Sequence, residues 1–164
     1  MKPSRHIIVS FVIGTGFWLF TRSVYASILC FISGIIADID HALEYIIHFG
    51  WKDFNFKNVY IVSEQTGRTG KGRTFKRLFL ILHTGELSIL LLAATIYTKN
   101  IYLLAITLGH ISHLIMDSMA NRLYPCSYFI LWRFYQKFHT DRLMRIFTDD
   151  KDKSDGSATG GGTA

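Results

Sequence analysis

The sequence predicts an all-α integral membrane protein with four transmembrane helices and a C-terminal interfacial amphipathic helix. Of the 164 residues, 49% are hydrophobic and only 18% are charged. Several apolar runs approach the length that crosses a bilayer, which is rare in a soluble domain of this size. The basic residues concentrate in alternate connecting segments, as membrane topology requires. The length fits a single domain, predicted over residues 1–147.

The apolar segments form two pairs, and a short polar turn joins the members of each pair. The predicted spans are residues 7–20, 23–49, 75–98 and 101–120. The first span also resembles a secretory signal, with Val24–Tyr25–Ala26 as a weak cleavage site. The second long apolar run follows almost at once, and this favours a membrane span. Cys30 and Cys126 belong to no CxxC pattern and are read as small hydrophobic residues.

The polar segments carry no nucleotide-binding or nucleic-acid-binding signature. Residues 66–74 read TGRTGKGRT but lack the spacing of a phosphate-binding loop, which favours a basic surface loop. Residues 121–147 interleave aromatic and basic side chains, a pattern typical of a helix at the membrane interface. Residues 148–164 are polar and Gly-rich, so the sequence predicts a disordered tail, in part of expression-vector origin.

The distribution of basic residues predicts the orientation of the spans. Sixteen of the 18 Lys and Arg residues lie at the N-terminus, in residues 50–77 or after residue 120, and only Arg22 and Lys99 lie in the other two turns. The positive-inside rule then places both termini and the long loop in the cytoplasm. We expect a multi-pass protein of the cell inner (cytoplasmic) membrane.

The fourth span contains the most informative stretch, LGHISHLIMDSM over residues 108–119. On a helix, His110, His113 and Asp117 fall within a stripe about 60° wide. A carboxylate at the centre of a span costs roughly 2.5–3.5 kcal/mol on insertion scales. Ionisable groups that persist at that cost usually line a site or pair with one another.

Two other spans place similar groups at a similar predicted depth. Asp38 and His41 are three residues apart, as are His83 and Glu86, so each pair shares one helix face. Asp40 points to another face and needs local unwinding to join them. The helical rise puts these groups in one layer of the cytoplasmic half of the bilayer. The sequence therefore predicts one site with contributions from three helices.

Histidine and carboxylate without thiolate are the ligands of hydrolytic metal sites. Zinc is favoured, with manganese and iron as alternatives. The predicted metal ligands are Asp38, His41, His83, His110, His113 and Asp117. These groups exceed one tetrahedral shell, so they leave room for two metals or for carboxylates that orient the histidines. An ion or proton pathway and polar helix packing remain open as alternatives.

The segments DIDH (38–41) and GHISHLIMD (109–117) resemble motifs of the LexA-regulated, membrane-bound metal-dependent hydrolases of the bacterial inner membrane. The resemblance extends over roughly residues 32–138 and includes RLYP at residues 122–125. Ala37 replaces the proline of the first motif, and only His83 remains of the HRxxTHS motif. Ala120 replaces the last Thr of the third motif. The resemblance implies a metal-dependent hydrolase.

These observations lead to a functional hypothesis of metal-assisted hydrolysis of a phosphoester or related bond in a lipid-like substrate. Glu86 or Asp40 is the predicted general base. The residues predicted to bind the substrate headgroup are Arg133, Asn121, Arg73 and Lys76. No nucleic-acid partner is expected. The alternatives are a divalent-metal or proton transporter, and a b-type haem protein that uses His83 with His110 or His113.

Overall fold

The computed structural model of the chain describes residues 3–145, whose fold is all-α with no β-strand among them. The predicted tail, residues 148–164, lies outside them. The α-helices are α1 (Pro3–Thr21), α2 (Val24–Ile36), α3 (Ile39–Phe49), α4 (Phe56–Glu64), α5 (Gly85–Thr98), α6 (Ile101–Ala120), α7 (Ile130–Tyr135) and α8 (Thr140–Leu143). Single turns of 3₁₀ helix occupy Trp51–Asp53, Ile81–His83 and Pro125–Tyr128, and a π-helical turn occupies Gln65–Thr69.

Three helical segments are long and apolar enough to cross a membrane: Ser4–Thr21, Val24–Phe49 and Ile101–Ala120. The second comprises α2 and α3, joined by a turn at residues 37–38. Side-chain caps begin two of these helices. The Ser23 hydroxyl accepts from an amide in the first turn of α2, and the Asn100 carboxamide accepts from two amides of α6.

Helices α2 and α6 pack closely because glycines face each other across their interface. A Cβ at Gly109 would collide with the carbonyl oxygen of Cys30 and lie 3.0 Å from the amide nitrogen of Gly34. A Cβ at Gly34 would collide with the Ser10 side chain on α1. Small residues that let helix backbones approach are a feature of packing between membrane helices. The approach of α6 to α2 fixes the position of the His/Asp stripe on α6.

The predicted third span, residues 75–98, is shorter in the structure. Helix α5 begins at Gly85 and has 14 residues, about 21 Å of helix against a hydrocarbon core of about 30 Å. The preceding residues 75–80 are not helical, and Leu80 has a left-handed backbone conformation with φ of 31°. The fourth membrane span therefore remains a prediction.

Side chains take the place of helical hydrogen bonds in this non-helical segment. The Glu44 carboxylate accepts from the amides of residues 79 and 80, and the Asp40 carboxylate accepts from those of residues 82 and 83. The Arg133 guanidinium donates to the carbonyls of residues 79, 80 and 83. These buried partners satisfy the backbone without a helix, and a hydropathy pattern does not show them.

The predicted interfacial helix over residues 121–147 is not one helix in the described part of the chain. It consists of the 3₁₀ turn and the short helices α7 and α8. Lys137 and Phe138 have positive φ values of 54° and 59°, which end α7 and reverse the chain. An isolated antiparallel bridge then pairs Leu123 with Met144.

These C-terminal segments pack with residues 51–83 into a cap at one end of the helix bundle. Its core is a cluster of buried apolar side chains from α3, α4, the 75–80 segment and α8, namely Tyr45, Val59, Val62, Phe75, Leu78, Leu80 and Leu143. The cap covers the end of the bundle where α1 begins and α6 ends, which is where the His/Asp residues lie.

Candidate metal centre

Buried and partly buried His and Asp side chains from five segments meet below the cap. They are His6 on α1, Asp38 at the α2–α3 turn, His41 on α3, His83 in the 3₁₀ turn, and His113 and Asp117 on α6. They form three overlapping groups whose ligand atoms lie within 4.8 Å of one another. These groups can hold a metal ion.

The tightest group consists of His83, His113 and Asp117, all at least 98% buried. The two histidine Nε2 atoms are 3.0 Å apart, and Asp117 Oδ2 lies 3.4 Å from His83 Nε2 and 3.9 Å from His113 Nε2. Tetrahedral zinc with bonds of about 2.0–2.1 Å separates its ligand atoms by about 3.3 Å. The three distances between ligand atoms, 3.0–3.9 Å, therefore span the separation expected around one zinc ion.

Each of the two imidazole rings has a hydrogen-bond acceptor near its Nδ1 atom, which orients its Nε2 atom toward the centre of the group. His113 Nδ1 donates to the carbonyl of Gly34 at 2.8 Å, and His83 Nδ1 lies 3.4 Å from Asp40 Oδ2. Metal-binding histidines almost always have such a partner on their second nitrogen. The turn at residues 37–38 interrupts the helix before Asp40, as the sequence analysis required. The Asp40 carboxylate therefore contacts Nδ1 of His83, on the side of the ring opposite to the metal-ligand group.

This arrangement makes the centre of the group strongly electron-rich. A neutral imidazole that donates through Nδ1 presents a lone pair at Nε2. Two such lone pairs and the Asp117 carboxylate then face one another in a buried site, where their mutual repulsion is not screened by water. A cation among these atoms, either a metal ion or a proton, removes this repulsion. Asp38 is the next candidate ligand, and its Oδ1 lies 3.7 Å from His113 Nε2.

His6 is a member of this site that the sequence analysis missed. Its Nε2 lies 3.1 Å from Asp117 Oδ1, and its ring stacks on that of His113 with centroids 4.3 Å apart. His6 directly precedes the first predicted span, residues 7–20, and was not among the predicted ligands. Its position near the start of α1, at the end of the bundle where α6 terminates, is the signal that could have found it.

Two of the predicted ligands have different environments. His110 donates from Nε2 to the carbonyl of Leu82 at 2.8 Å, and its Nδ1 lies 3.0 Å from the Ser88 hydroxyl. Both its nitrogens are thus engaged, and it belongs to none of the ligand groups among the described residues. His41 is in a group with Asp38 and His83, and its Nδ1 is buried without a hydrogen-bond partner.

The predicted general base Glu86 lies beside α7 rather than in these groups. Its Oε1 accepts from the amide of Leu131 at 3.3 Å, in the first turn of α7. Arg133, predicted to bind substrate, is 98% buried and donates to four backbone carbonyls, three of them in residues 79–83. Burial lowers the pKa of the Arg133 guanidinium, and its hydrogen bonds position the turn that carries His83.

The other predicted substrate-binding residues are divided between the cavity and the surface. Asn121 lines the cavity described below. Arg73 forms an ion pair with Asp53 at 2.6 Å and lies over the ring of Phe49. Lys76 is exposed, and its backbone carbonyl accepts from the amide of Thr140. Neither cation lines the cavity.

A cavity of about 380 Å³ adjoins the metal-ligand groups, a volume in the usual range for small-molecule sites. One part of its lining consists of Asp38, His41, His83 and Asp117. The Tyr128 hydroxyl and the Asn121 carboxamide belong to residues that also line the cavity. Burial raises the pKa of the Tyr128 hydroxyl, which therefore stays protonated. The rest of the lining is mostly apolar. The site thus combines buried metal ligands with space for an amphiphilic molecule.

Comparison with known proteins does not assign the chain to a family. No family model, no curated protein and no solved structure matches it.

Proposed function

We propose that this protein is a membrane-embedded metal-dependent hydrolase that binds zinc through His83, His113, Asp117 and Asp38. The substrate is a lipid-like molecule with a phosphoester or related bond, cleaved near the cytoplasmic face. The observation that carries the proposal is the convergence of two imidazole Nε2 atoms and a carboxylate oxygen, with edges of 3.0–3.9 Å, beside a cavity. Nitrogen and oxygen ligands without cysteine are typical of catalytic zinc.

Held by these four residues, a zinc ion would lower the pKa of a bound water to about 7 and would stabilise negative charge on a substrate oxygen. The chain supplies the rest of the chemistry. His41 lines the cavity, and its unpartnered Nδ1 is available to accept a proton there. Glu86 and Asp40, the bases predicted from sequence, are not among the cavity-lining residues. The proposal therefore assigns proton acceptance to His41, and Asp40 orients His83.

The membrane location of this proposed site follows from the apolar helices and the basic loops. The three long apolar segments support a multi-pass membrane protein. The inner membrane, with both termini in the cytoplasm, is proposed from the asymmetry of 16 basic residues against two. The site lies at the basic end of the bundle, where lipid headgroups of the cytoplasmic leaflet are within reach.

The test combines metal analysis with turnover on the purified protein. We expect about one zinc ion per chain, and hydrolysis of a phospholipid that stops on chelation and returns with zinc. His41→Gln should retain zinc and lower turnover by about 10²–10⁴-fold. His139→Ala, in the cap, should change neither. Zinc-loaded protein without turnover on phosphoester or carboxylic ester lipids would refute hydrolysis but not metal binding.

A second candidate function, a proton pathway, is favoured by one specific observation. Two polar pairs follow the α5–α6 interface away from the metal-ligand groups: the partly buried pair of Ser88 and His110 at 3.0 Å, and the buried pair of Thr95 and Thr107 at 2.9 Å. In this alternative the cation at the centre is a proton on His83. Proton flux into vesicles, together with the absence of bound metal, would support it over the hydrolase.

A further inference from the structure

We propose that the cavity beside the metal-ligand groups takes one hydrocarbon chain of a membrane lipid, which enters sideways from the bilayer between α3 and α4. This inference rests on the proposed function and specifies its substrate class. The cavity and the outer surface of α2 and α3 support it.

The apolar part of the cavity has the chemistry of a chain-binding site. Ala42 on α3, Val59 on α4, and Phe75 and Leu78 of the 75–80 segment form its walls. Val59, Phe75 and Leu78 are 92–99% buried and belong to the apolar core cluster of the cap. The polar groups, His83 and the neighbouring acids, occupy another part of the lining. A molecule that fills the whole cavity must therefore be apolar along most of its length and polar where it meets the metal ligands.

The cavity reaches the protein surface at apolar residues. Ile39 on α3 and Phe56 on α4 belong to its lining, yet 50% and 77% of their surfaces are exposed. An opening onto water would leave a rim of exposed apolar side chains, which soluble enzymes avoid. An opening onto lipid does not carry that penalty.

Ile39 also lies within a continuous apolar stripe on the outside of the bundle. The exposed members of this stripe recur every three or four residues along α2 and α3: Ile28, Ile32, Ile36, Ile39, Leu43 and Ile47. Such a stripe on a helix that is long enough to cross a membrane faces lipid. The cavity mouth is thus part of the lipid-facing surface, and the molecules that meet it are the chains of bilayer lipids.

The charge of the cavity lining favours a membrane lipid, with its polar end at the metal ligands, over a soluble anion. The ionisable residues that line the cavity include the acids Asp38, Glu64 and Asp117, and one cation, Arg133, whose guanidinium is already bound to backbone carbonyls. This lining repels a free phosphate that arrives through water. A lipid whose chain is already in the cavity presents its headgroup ester to the metal without crossing that barrier.

Photolabelling in membranes tests this inference. The purified chain is reconstituted in vesicles of phosphatidylcholine and phosphatidylglycerol that contain a phosphatidylcholine with a diazirine near the middle of one chain. After illumination, peptide mapping locates the labelled residues. We expect label on Val59 and Leu78, which are buried and reachable only from the cavity, as well as on lipid-facing Ile47.

Two matched substitutions separate the cavity from the outer surface. Ala42→Trp fills the cavity and should lower the labelling of Val59 and Leu78 about tenfold, and Leu43→Trp, one residue along on the lipid-facing stripe, should not. Because the wild-type map is independent of either variant, a misfolded Ala42→Trp does not compromise the test. Label confined to outward residues such as Ile47, or cavity labelling unchanged in a folded Ala42→Trp, overturns the inference. Zinc content, measured on the same samples, reports separately on the proposed function.

Discussion

Replacement of His113 by Ala, compared with the same change at His110, tests the metal site within one helix. Both side chains are buried on α6, three residues apart. His113 Nε2 points at His83 and Asp117, whereas both nitrogens of His110 are engaged by Leu82 and Ser88. Only the first substitution should therefore remove a metal ligand.

The size of the effect follows from the number of ligands. Zinc sites in small peptides have apparent binding free energies of roughly 10–16 kcal/mol, which is about 3 kcal/mol for each of four ligands. Loss of His113 should thus weaken zinc binding about 100-fold. His110→Ala leaves the Leu82 carbonyl without its donor and should lower the free energy of unfolding by about 1–3 kcal/mol. Its effect on zinc affinity should stay below the ~10–100-fold that is typical of residues directly behind a ligand.

The assay is competition for zinc between the detergent-purified variants and a chromophoric chelator, with thermal unfolding measured on the same preparations. Zinc affinity of His113→Ala within twofold of the wild type would refute the assignment of His113 as a ligand. Equal losses of zinc in both variants would show that α6 affects the site through packing rather than through coordination. A wild-type protein that binds no zinc would leave a proton as the cation between His83 and His113.

Four further predictions follow from the contacts described above. Asp40→Asn removes the charge behind His83 and should weaken zinc binding about 10–100-fold in the same competition assay. Arg133→Met leaves buried carbonyls unpaired and should lower the free energy of unfolding by about 3 kcal/mol or more, measured by thermal or denaturant unfolding. Gly109→Ala presses on the backbone of α2 and should destabilise by about 1–3 kcal/mol, whereas Gly16→Ala, with nothing within 4 Å, should be neutral or stabilising; equal unfolding midpoints would contradict the packing argument. Protease should cut the 67–72 loop in inside-out vesicles only, and cleavage in intact cells would reverse the proposed topology.

The sequence alone determined the helical class, the position of α6 and most of the candidate ligands. The apolar run between Asn100 and Asn121 has the same bounds in the structure, 101–120, because its polar flanks and its length leave little freedom. His113 and Asp117 share a face by helical periodicity alone. Asp38, His41 and His83 were grouped with them by depth, and the structure brings all five together with their ligand atoms in overlapping groups.

The tertiary structure decided the roles within that set. His110 and His113 are equivalent by periodicity, but the carbonyl of Leu82 engages one and the carbonyl of Gly34 turns the other toward the centre. Hydropathy predicts an α-helix over residues 75–83, yet buried Arg133, Glu44 and Asp40 bind their backbone, and the segment is irregular except for one 3₁₀ turn. These contacts join residues that are 28 to 79 positions apart in the sequence. They depend on how the cap packs on the bundle, and this packing cannot be predicted from local periodicity.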